Sequence, residues 1–207
     1  MRYHKIPDET IRRLPVYLRQ LLLLCQRGCT NISSDSFSNL VHIAGSQIRK
    51  DFSYFGDFGV RGRGYDIKRL IKEIKKILKL ESFRDVALIG AGRLGSAILG
   101  YPGFKRYGFK ISCALDTDKR KIGKKFGALT VKNASEVGIL KKKKIKLAII
   151  ATPSDVAQGV TNKLVKAGVK GILNFAPCTL TAPKKVKIIN IDIAMDLATL
   201  PYYLPSA

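Results

Sequence analysis

Val86-Ala87-Leu88-Ile89-Gly90-Ala91-Gly92-Arg93-Leu94-Gly95 is a short apolar strand that runs directly into a G-x-G-x-x-G turn. In such a turn the first glycine permits the tight bend, the second lets backbone N–H groups approach a pyrophosphate, and the third lets the next helix pack on its strand. Asp116 closes a second apolar run twenty-one residues beyond the third glycine. A carboxylate at that place accepts from ribose hydroxyls and repels a 2′-phosphate. The spacing predicts a dinucleotide site that favours NAD over NADP, and the alternative is a structural turn without a ligand.

Residues 81–190 alternate short apolar runs with helical stretches, which predicts an α/β domain with a Rossmann-like parallel sheet. Helices are predicted over 94–99, 134–140 and 155–167, the last capped by Ser154 and ended by Gly168. Strands are predicted over 86–90, 111–116, 145–152, 171–176 and 186–191.

The first 80 residues predict a different, mostly helical domain. Apolar spacing predicts a helix over 11–25, a second helix capped by Ser33 or Ser34, and a third after Gly45. Two helices joined by a tight turn are typical of a helix-turn-helix domain, whose last helix enters the major groove of DNA. With Ile48 and Phe52 buried, the outward side of this helix supplies the predicted DNA contacts, together with Ser46 at its cap: Ser46, Gln47, Lys50 and Tyr54.

Residues 56–65 form a glycine-rich segment that predicts a hairpin, the wing of a winged helix. Arg61, Gly62 and Arg63 lie near its tip, where arginines can enter a narrow A·T-rich minor groove. An ordinary surface hairpin with arginines for solubility is the alternative. A further helix over 67–80 is predicted to cover this domain.

Composition agrees with a two-domain protein that binds a polyanion. The chain has 207 residues, 46% of them apolar, and a formal net charge of +23, which favours nucleic acid as a partner. No apolar run is long enough to span a membrane and no signal-peptide core begins the chain, so we expect a cytoplasmic protein. The four cysteines are too scattered for a disulfide framework or a zinc site. The lysine run 141–144 is interpreted as a solvated helix end.

Five segments together resemble the Rex family of redox-sensing transcriptional repressors, over nearly the whole chain. The resemblance implies a homodimer with a winged-helix domain over 1–80, an NAD(H)-binding Rossmann domain over 81–190 and a C-terminal helix over 191–207 that is exchanged between subunits. It also implies that NADH binding releases the protein from operator DNA, with NADH and NAD as effectors that are not consumed. The segments are 49–56 (RKDFSYFG), 61–65 (RGRGY), 92–95 (GRLG), 101–104 (YPGF) and 171–177 (GILNFAP).

Residue by residue, the resemblance makes Arg93 a pyrophosphate contact and Asp116 the ribose acceptor, and it matches Lys50 and Arg61 to DNA contacts. It also implies a switch network of Arg19, Tyr101 and Asp192, whose partners differ between the DNA-bound and NADH-bound states. Without the resemblance, Arg19 is interpreted as a surface cation and Asp192 as a helix N-cap. The chain departs from the expected pattern at Arg63 and at Leu115, where an apolar residue and a phenylalanine are usual.

The nicotinamide ring is expected against an apolar wall of Phe175, Ala176 and Pro177, which would penalise the cationic NAD⁺ by desolvation. The full set of expected cofactor contacts is Gly90, Ala91, Gly92, Arg93, Leu94, Gly95, Tyr101, Asp116, Thr152, Pro153, Asn174 and Phe175.

Two other functions compete with the repressor. An NAD-dependent dehydrogenase needs a proton donor or acceptor near its substrate, but both histidines, His4 and His42, lie in the N-terminal part. Tyr101 and Lys105 have a dehydrogenase-like spacing, yet Pro102 and Gly103 lie between them. A CoA- or nucleotide-binding module of a larger enzyme complex is the other alternative, which the winged segment disfavours.

Overall fold

A computed structural model describes residues 6–56, 58–60 and 64–204. The chain divides into two compact units, Met1–Ser82 and Phe83–Ala207. None of the helices in the described part of the chain has both the length and the apolar character that crossing a membrane requires.

The N-terminal unit is a helical domain with a small antiparallel sheet of order β1-β3-β2. Its core contains an aromatic cluster of Tyr17, Phe37, Phe52 and Tyr65, whose ring centroids are 5.1 to 6.5 Å apart in neighbouring pairs. These four rings join the first three helices to the wing. The elements are α1 (Asp8–Gln26), β1 (Asn31–Ile32), α2 (Ser34–Val41), α3 (Gly45–Ser53), β2 (Gly59–Val60), β3 (Gly64–Asp66) and α4 (Ile67–Ile77).

A buried carboxylate on α3 ties this helix to α1. Asp51 is fully buried and accepts from Arg13 Nε at 2.6 Å, Arg13 Nη2 at 2.8 Å and the Tyr17 hydroxyl at 2.7 Å. It also accepts from Thr10 Oγ1 at 3.0 Å and Gln47 Nε2 at 2.9 Å. Burial by itself raises the pKa of Asp51, but the hydrogen bonds, foremost those from Arg13, outweigh it and hold the pKa below its ordinary value.

Two predicted helix caps are misplaced by one or two residues, whereas a third is confirmed. Ser33 caps α2 by accepting from the Ser36 N–H at 3.0 Å. Helix α3 begins at Gly45 with Ala44 at the N-cap, so Ser46 is already inside the first turn and makes no cap. The helix predicted from 155 begins at Ser154, because Pro153, with φ −57° and ψ 155°, takes the extended N-cap position.

The C-terminal unit contains a sheet of order β10-β9-β8-β4-β5-β7-β6. Without the last hairpin strand, this is the 3-2-1-4-5-6 order of a doubly wound dinucleotide-binding sheet. The Rossmann-like prediction is therefore confirmed. The strands are β4 (Arg84–Ile89), β5 (Phe109–Asp116), β6 (Lys125–Phe126), β7 (Leu129–Asn133), β8 (Leu147–Ile150), β9 (Gly171–Asn174) and β10 (Lys187–Asn190).

Both faces of this sheet are covered, as a parallel sheet requires. One face packs Leu140 and Leu164, and the other packs Ile98 and Phe104. The antiparallel β6–β7 hairpin and α6 were not predicted from the sequence, and the helix predicted over 134–140 is split into a 3₁₀ turn, Ala134–Gly138, and a short α-helix. The helices are α5 (Arg93–Gly100), α6 (Gly103–Arg106), α7 (Ile139–Lys142), α8 (Ser154–Lys166) and α9 (Ile193–Leu197), followed by a 3₁₀ turn, Leu200–Tyr203.

Asp51→Asn should lower the free energy of unfolding by about 3 kcal/mol or more, because it leaves the Arg13 guanidinium without its buried counter-charge. Urea unfolding followed by circular dichroism measures this change. Because the pKa of Asp51 is lowered in the folded state, its contribution is present at neutral pH and is lost as pH falls below about 4, so the difference between the two proteins should shrink in acid.

Asp35→Asn is the matched control, since Asp35 pairs with Arg49 at 3.5 Å while its side chain is 88% exposed. An exposed pair of this kind contributes at most about 1 kcal/mol. Equal effects of the two substitutions would contradict the structural role of Asp51.

Candidate functional site

The glycine turn lies between β4 and β8, where the strand order of the sheet reverses. Gly90 has φ +94°, and a Cβ there would overlap the Ala151 carbonyl oxygen. A Cβ on Gly95 would overlap the carbonyl oxygen of Gly90, so α5 packs directly on the turn that precedes it. In doubly wound sheets, ligands bind in the crevice outside this reversal point. The first and third glycines are therefore required by close backbone contacts.

The N-terminus of α5 is open toward this crevice. Gly92 is the N-cap, and no side chain caps the first-turn N–H groups. A Cβ on Gly92 would have only the Lys121 ammonium within 4.0 Å, so the space above this residue is open. Arg93 and Leu94, the first residues of the helix, are exposed. Uncapped N–H groups and the helix dipole together favour a phosphate at this end.

Asp116 is buried at the end of β5, with 6% of its surface exposed. It accepts from the Ala91 N–H at 2.7 Å and from the Asp118 N–H at 2.8 Å. Burial alone raises the pKa of Asp116, but these backbone hydrogen bonds and Lys121 outweigh it and keep the pKa below its ordinary value. The carboxylate thus ties the glycine turn to the end of the next strand.

Lys121 adds a positive charge that was not predicted from the sequence. Its ammonium lies 3.4 Å from Asp116 Oδ2 and 3.7 Å from Asp118 Oδ2. Asp118 also receives a hydrogen bond from the exposed Arg120, which lowers its pKa to about 2. Both carboxylates are therefore ionised at neutral pH, and the Lys121 ammonium lies close to both of them and 4.0 Å from the Cβ position of Gly92.

A groove of about 720 Å³ connects these groups. Of the expected cofactor contacts, Gly90, Gly92, Asp116, Thr152 and Pro153 line it. The hydroxyls of Thr152 and Ser112 are buried without a hydrogen-bond partner among the described residues, which is unusual for buried polar groups. Of the two, Thr152 lines the groove. The remaining walls, which were not predicted from the sequence, include Thr117, Ala134, Asp155, Val156, Gly159, Val160 and Lys163.

Three further expected cofactor contacts, Tyr101, Asn174 and Phe175, differ in their freedom to bind a ligand. Asn174 is fully buried, and its amide donates to the carbonyls of Ala176 and Cys178 and to Asn190 while accepting from the Ala176 N–H. It holds the turn after β9. Phe175 is half-buried, whereas Tyr101 is 58% exposed and packs edge-on against Phe104 at 5.5 Å.

The residues of the predicted DNA surface occupy different environments on α3. Ser46 and Lys50 are exposed, and Tyr54 is partly buried in the domain core. Gln47 is half-buried, and its amide donates to Asp51 at 2.9 Å. The predicted wing residues Arg61, Gly62 and Arg63 lie outside the described residues.

The three predicted switch residues lie in two different units. Arg19 is exposed on α1 in the N-terminal unit, and Tyr101 follows α5 in the C-terminal unit. Asp192 is the N-cap of α9 and accepts from the Met195 N–H at 3.2 Å. Its local role as a cap is therefore established.

Two protein-family models match the chain, one in each unit. The model described as "Putative DNA-binding protein N-terminus" matches residues 5–53. The model described as "CoA binding domain" matches residues 82–178.

Curated relatives match over nearly the full length. A redox-sensing transcriptional repressor Rex of Lactobacillus acidophilus is 43% identical, covering 98% of this chain and 96% of the relative. One of Chloroflexus aurantiacus is 44% identical, covering 96% of this chain and 94% of the relative. The chain belongs to the Rex family of redox-sensing transcriptional repressors. The Rex relatives are repressors and not enzymes, which rules against the dehydrogenase alternative.

Solved Rex structures agree with the fold. A crystal structure of RSP in complex with beta-NAD+ and operator DNA is 35% identical, with a TM-score of 0.90, covering 97% of this chain and 93% of that chain. RSP in complex with beta-NADH is 34% identical, with a TM-score of 0.87, covering 97% and 94%. The predicted combination of an N-terminal DNA-binding domain and a Rossmann-like domain is therefore the Rex architecture.

Some of the groove residues that were not predicted could have been identified from signals in the sequence. Lys121 lies five residues after Asp116, in the loop that follows the strand carrying the predicted ribose acceptor. Val156 and Val160 are four residues apart on α8, which places both on one helix face. Ala134 carries no such signal, because it reaches the groove only through the unpredicted β6–β7 hairpin.

Gly95→Ala should weaken NADH binding at least about tenfold, because the added methyl group forces α5 away from the glycine turn. NADH fluorescence on titration measures the affinity.

Gly100→Ala in the same helix is the control, since a Cβ there meets nothing within 4 Å. This variant should bind NADH normally and be as stable as the original protein or slightly more so. Normal affinity in the Gly95→Ala protein would exclude the turn from the site.

Proposed function

We propose that this Rex protein binds operator DNA when NADH is scarce and releases it when NADH binds. The supporting observation is the groove at the glycine turn, with its uncapped helix N-terminus and unpartnered Thr152 hydroxyl, in a chain similar to RSP, which has been crystallised with beta-NAD+ and operator DNA and with beta-NADH. Because a repressor must reach the chromosome, we expect the protein in the cytoplasm.

In this proposal the pyrophosphate lies at the N-terminus of α5, near Gly92 and Arg93. The dipole and the uncapped N–H groups of α5 supply the attraction, and the Lys121 ammonium adds a nearby positive charge. Asp116 has two oxygens and about four lone-pair sites, so it can accept ribose hydroxyls while keeping its bonds to the Ala91 and Asp118 N–H groups. The apolar side chains Val156 and Val160 provide a surface for the adenine ring.

Discrimination between the two redox states follows from the charge of the nicotinamide ring. NAD⁺ carries a positive charge on this ring and NADH does not. A half-buried aromatic wall at Phe175 desolvates the ring, which disfavours the cation. Asn174 contributes by holding the turn on which Phe175 lies, since both ends of its amide are engaged within the protein.

Release of DNA requires that NADH bind one arrangement of the protein more tightly than the other. A shift of population from 1:99 to 99:1 needs about 5.5 kcal/mol of differential affinity. A coupling of about 1 to 3 kcal/mol per effector is typical, so two NADH molecules on a dimer approach this value. We propose that Arg19, Tyr101 and Asp192 carry this coupling.

The C-terminal segment supports the proposed dimer with an exchanged helix. Its apolar side chains are exposed, among them Ile193 (67%), Met195 (62%) and Leu197 (63%), followed by Tyr202 (85%) and Tyr203 (77%). A contiguous apolar segment of this kind marks a protein contact. A second copy of the chain would cover it.

CoA is the second candidate ligand, because the matching family model for residues 82–178 is described as a CoA binding domain. CoA and NADH share an adenosine and a pyrophosphate, which the groove would hold in the same way. They differ at the nicotinamide end and at the 3′-phosphate of CoA. The two ligands can therefore be compared directly on one protein.

Titration of a complex of the protein with selected operator DNA should show release by NADH at far lower concentration than by NAD⁺. Fluorescence anisotropy of labelled DNA measures the release. CoA at equal concentration is expected to leave the complex intact. Release by CoA in preference to NADH would make CoA the effector, and release by NADH and NAD⁺ at equal concentrations would contradict redox sensing.

Asp116→Ala should lower NADH affinity by about tenfold to a hundredfold, which is the effect of losing charged hydrogen bonds, and should leave operator affinity without NADH unchanged. Asp85→Ala, at the opposite end of the adjacent strand β4, is the control and should retain the original NADH affinity. Isothermal calorimetry on both variants provides the comparison. An Asp116→Ala protein with unaltered NADH affinity would remove this residue from the site.

A further inference from the structure

The amino edge of the sheet in the C-terminal unit carries a dense cluster of lysines. Between residues 141 and 190 the chain has eleven lysines and a single carboxylate, Asp155. Asp155 lies in the first turn of α8 and lines the nucleotide groove at the carboxyl edge. The amino-edge cluster, as we define it, consists of Lys141, Lys142, Lys143, Lys144, Lys146, Lys166, Lys170, Lys184 and Lys185, all of them exposed.

Backbone hydrogen bonds bring separate parts of this cluster together. The Lys170 N–H donates to the Lys146 carbonyl at 2.8 Å, immediately before β9 and β8 begin. These two lysines are level on neighbouring parallel strands, since Leu147 is in register with Gly171. Strands in a sheet are about 4.8 Å apart. Two lysines therefore leave adjacent backbone positions, with Asp85 of β4 level with Lys146 on its other side, since Val86 is in register with Leu147. Like charges directly opposite each other are destabilising.

Helix ends bring further lysines to the same edge. Helix α7 ends at Lys142 and α8 ends at Lys166, and both helices pack on the same face of the sheet, through Leu140 and Leu164. Cations at helix C-termini are favoured by the dipole, which accounts for one or two lysines at each end. It does not account for Lys170 or for the pair Lys184 and Lys185, which lie outside these helices.

Among the described residues, no ion pair within 4.0 Å is found for the nine lysines of the cluster, although the Asp85 carboxylate lies at the amino end of the neighbouring strand β4. The ion pairs found between side chains of the C-terminal unit involve Lys121, Arg120 and Lys132, all on the other side of β4 in the sheet order. Lys146 instead donates to the Gly168 carbonyl at 3.2 Å. The cluster therefore presents its positive charge to the solvent.

The chemistry of the cluster identifies the kind of partner. Its nine members are lysines, with Arg84 and Phe83 exposed at the amino end of the neighbouring strand β4, whereas protein interfaces are depleted in lysine and enriched in arginine, tyrosine and tryptophan. Single-stranded nucleic acid needs aromatic platforms for its bases. Phe83, immediately before β4 at this edge, is 62% exposed, but a single ring supplies neither a row of stacking platforms for single-stranded nucleic acid nor an apolar face for a lipid surface. Compact, mobile ammonium groups suit the regularly spaced phosphates of duplex DNA.

We propose that the amino-edge cluster is a second, sequence-independent contact with the phosphate backbone of duplex DNA, separate from the winged helix. This inference rests on the proposed function as a DNA-binding repressor. The cluster would add affinity that depends on salt and not on the operator sequence. It would therefore raise the local concentration of the repressor on DNA without altering which sequence α3 selects.

The test compares salt dependence of binding for three versions of the full-length protein. The first is unaltered, the second is the triple variant Lys143→Gln, Lys146→Gln and Lys170→Gln, and the third is the control Lys124→Gln, Lys125→Gln and Lys132→Gln. The control removes the same charge from the β6–β7 hairpin, at the far side of the same sheet. A duplex without operator sequence, and one with it, are titrated by anisotropy at several salt concentrations.

The slope of log K against log salt changes by about 0.9 for each DNA phosphate that the protein neutralises. A cluster variant that neutralises two fewer phosphates should therefore have a slope shallower by about 2, and should bind both duplexes more than tenfold more weakly at about 0.1 M salt. The hairpin variant should keep the original slope. A further triple variant, Lys143→Arg, Lys146→Arg and Lys170→Arg, should also keep the original slope, since the charge is retained.

Equal slopes for the unaltered protein and the cluster variant would overturn the inference while leaving the proposed function in place. Equal reductions of the slope in the cluster and hairpin variants would also overturn it, because they would reflect net charge alone. If the unaltered protein bound neither duplex, the proposed function and this inference would fall together. Melting temperatures and NADH affinities within error of the original protein confirm that each variant is folded.

Discussion

The close approach of two backbone segments at the glycine turn is the constraint on which the nucleotide site depends. Gly95 lies against the Gly90 carbonyl, and Gly90 lies against the Ala151 carbonyl, so no side chain can stand at either position. The buried carboxylate of Asp116 then fixes the turn from the other side by accepting the Ala91 N–H. Together these contacts leave the N-terminus of α5 uncapped and facing a groove, which is the condition for holding a pyrophosphate.

The parts of the fold that sequence could predict are those with a long and regular signal. The glycine motif, the apolar strands and the three N-terminal helices each extend over many residues, so one misplaced residue does not change the interpretation. The β6–β7 hairpin was missed because β6 has only two residues. The caps at Ser46 and Ser154 were misplaced because Ala44 and Pro153, which have no capping side chain, occupy the N-cap positions ahead of these serines.

The position of the candidate site could be predicted from the sequence, whereas the role of each residue in it was harder to predict. Gln47 and Asn174 were expected as ligand contacts from their places in the sequence, yet their amides are held inside the protein, by Asp51 and by the turn after β9. These partnerships depend on residues that meet only in the folded chain. Asp51, for example, binds Arg13 from 38 residues away and Thr10 from 41 residues away. Sequence spacing identifies which elements carry a site, whereas packing decides which polar atoms remain available to a ligand.

The buried carboxylate of Asp51 on α3 keeps α1 and α3 of the N-terminal DNA-binding domain together, which a regulated repressor needs. Asp51 fixes α3 to α1 through Arg13, Tyr17 and Thr10, so these two helices must move as one body or break a buried ion pair. Removing one partner of such a pair costs about 3 to 5 kcal/mol, which is comparable to the coupling of about 1 to 3 kcal/mol that each of two effectors typically supplies. If the free energy of NADH binding were used to deform the N-terminal domain, too little would remain to release DNA. In the proposed regulation α1 and α3 therefore move together, and the proposed switch residue Arg19 lies on the same helix α1 as the partners of Asp51.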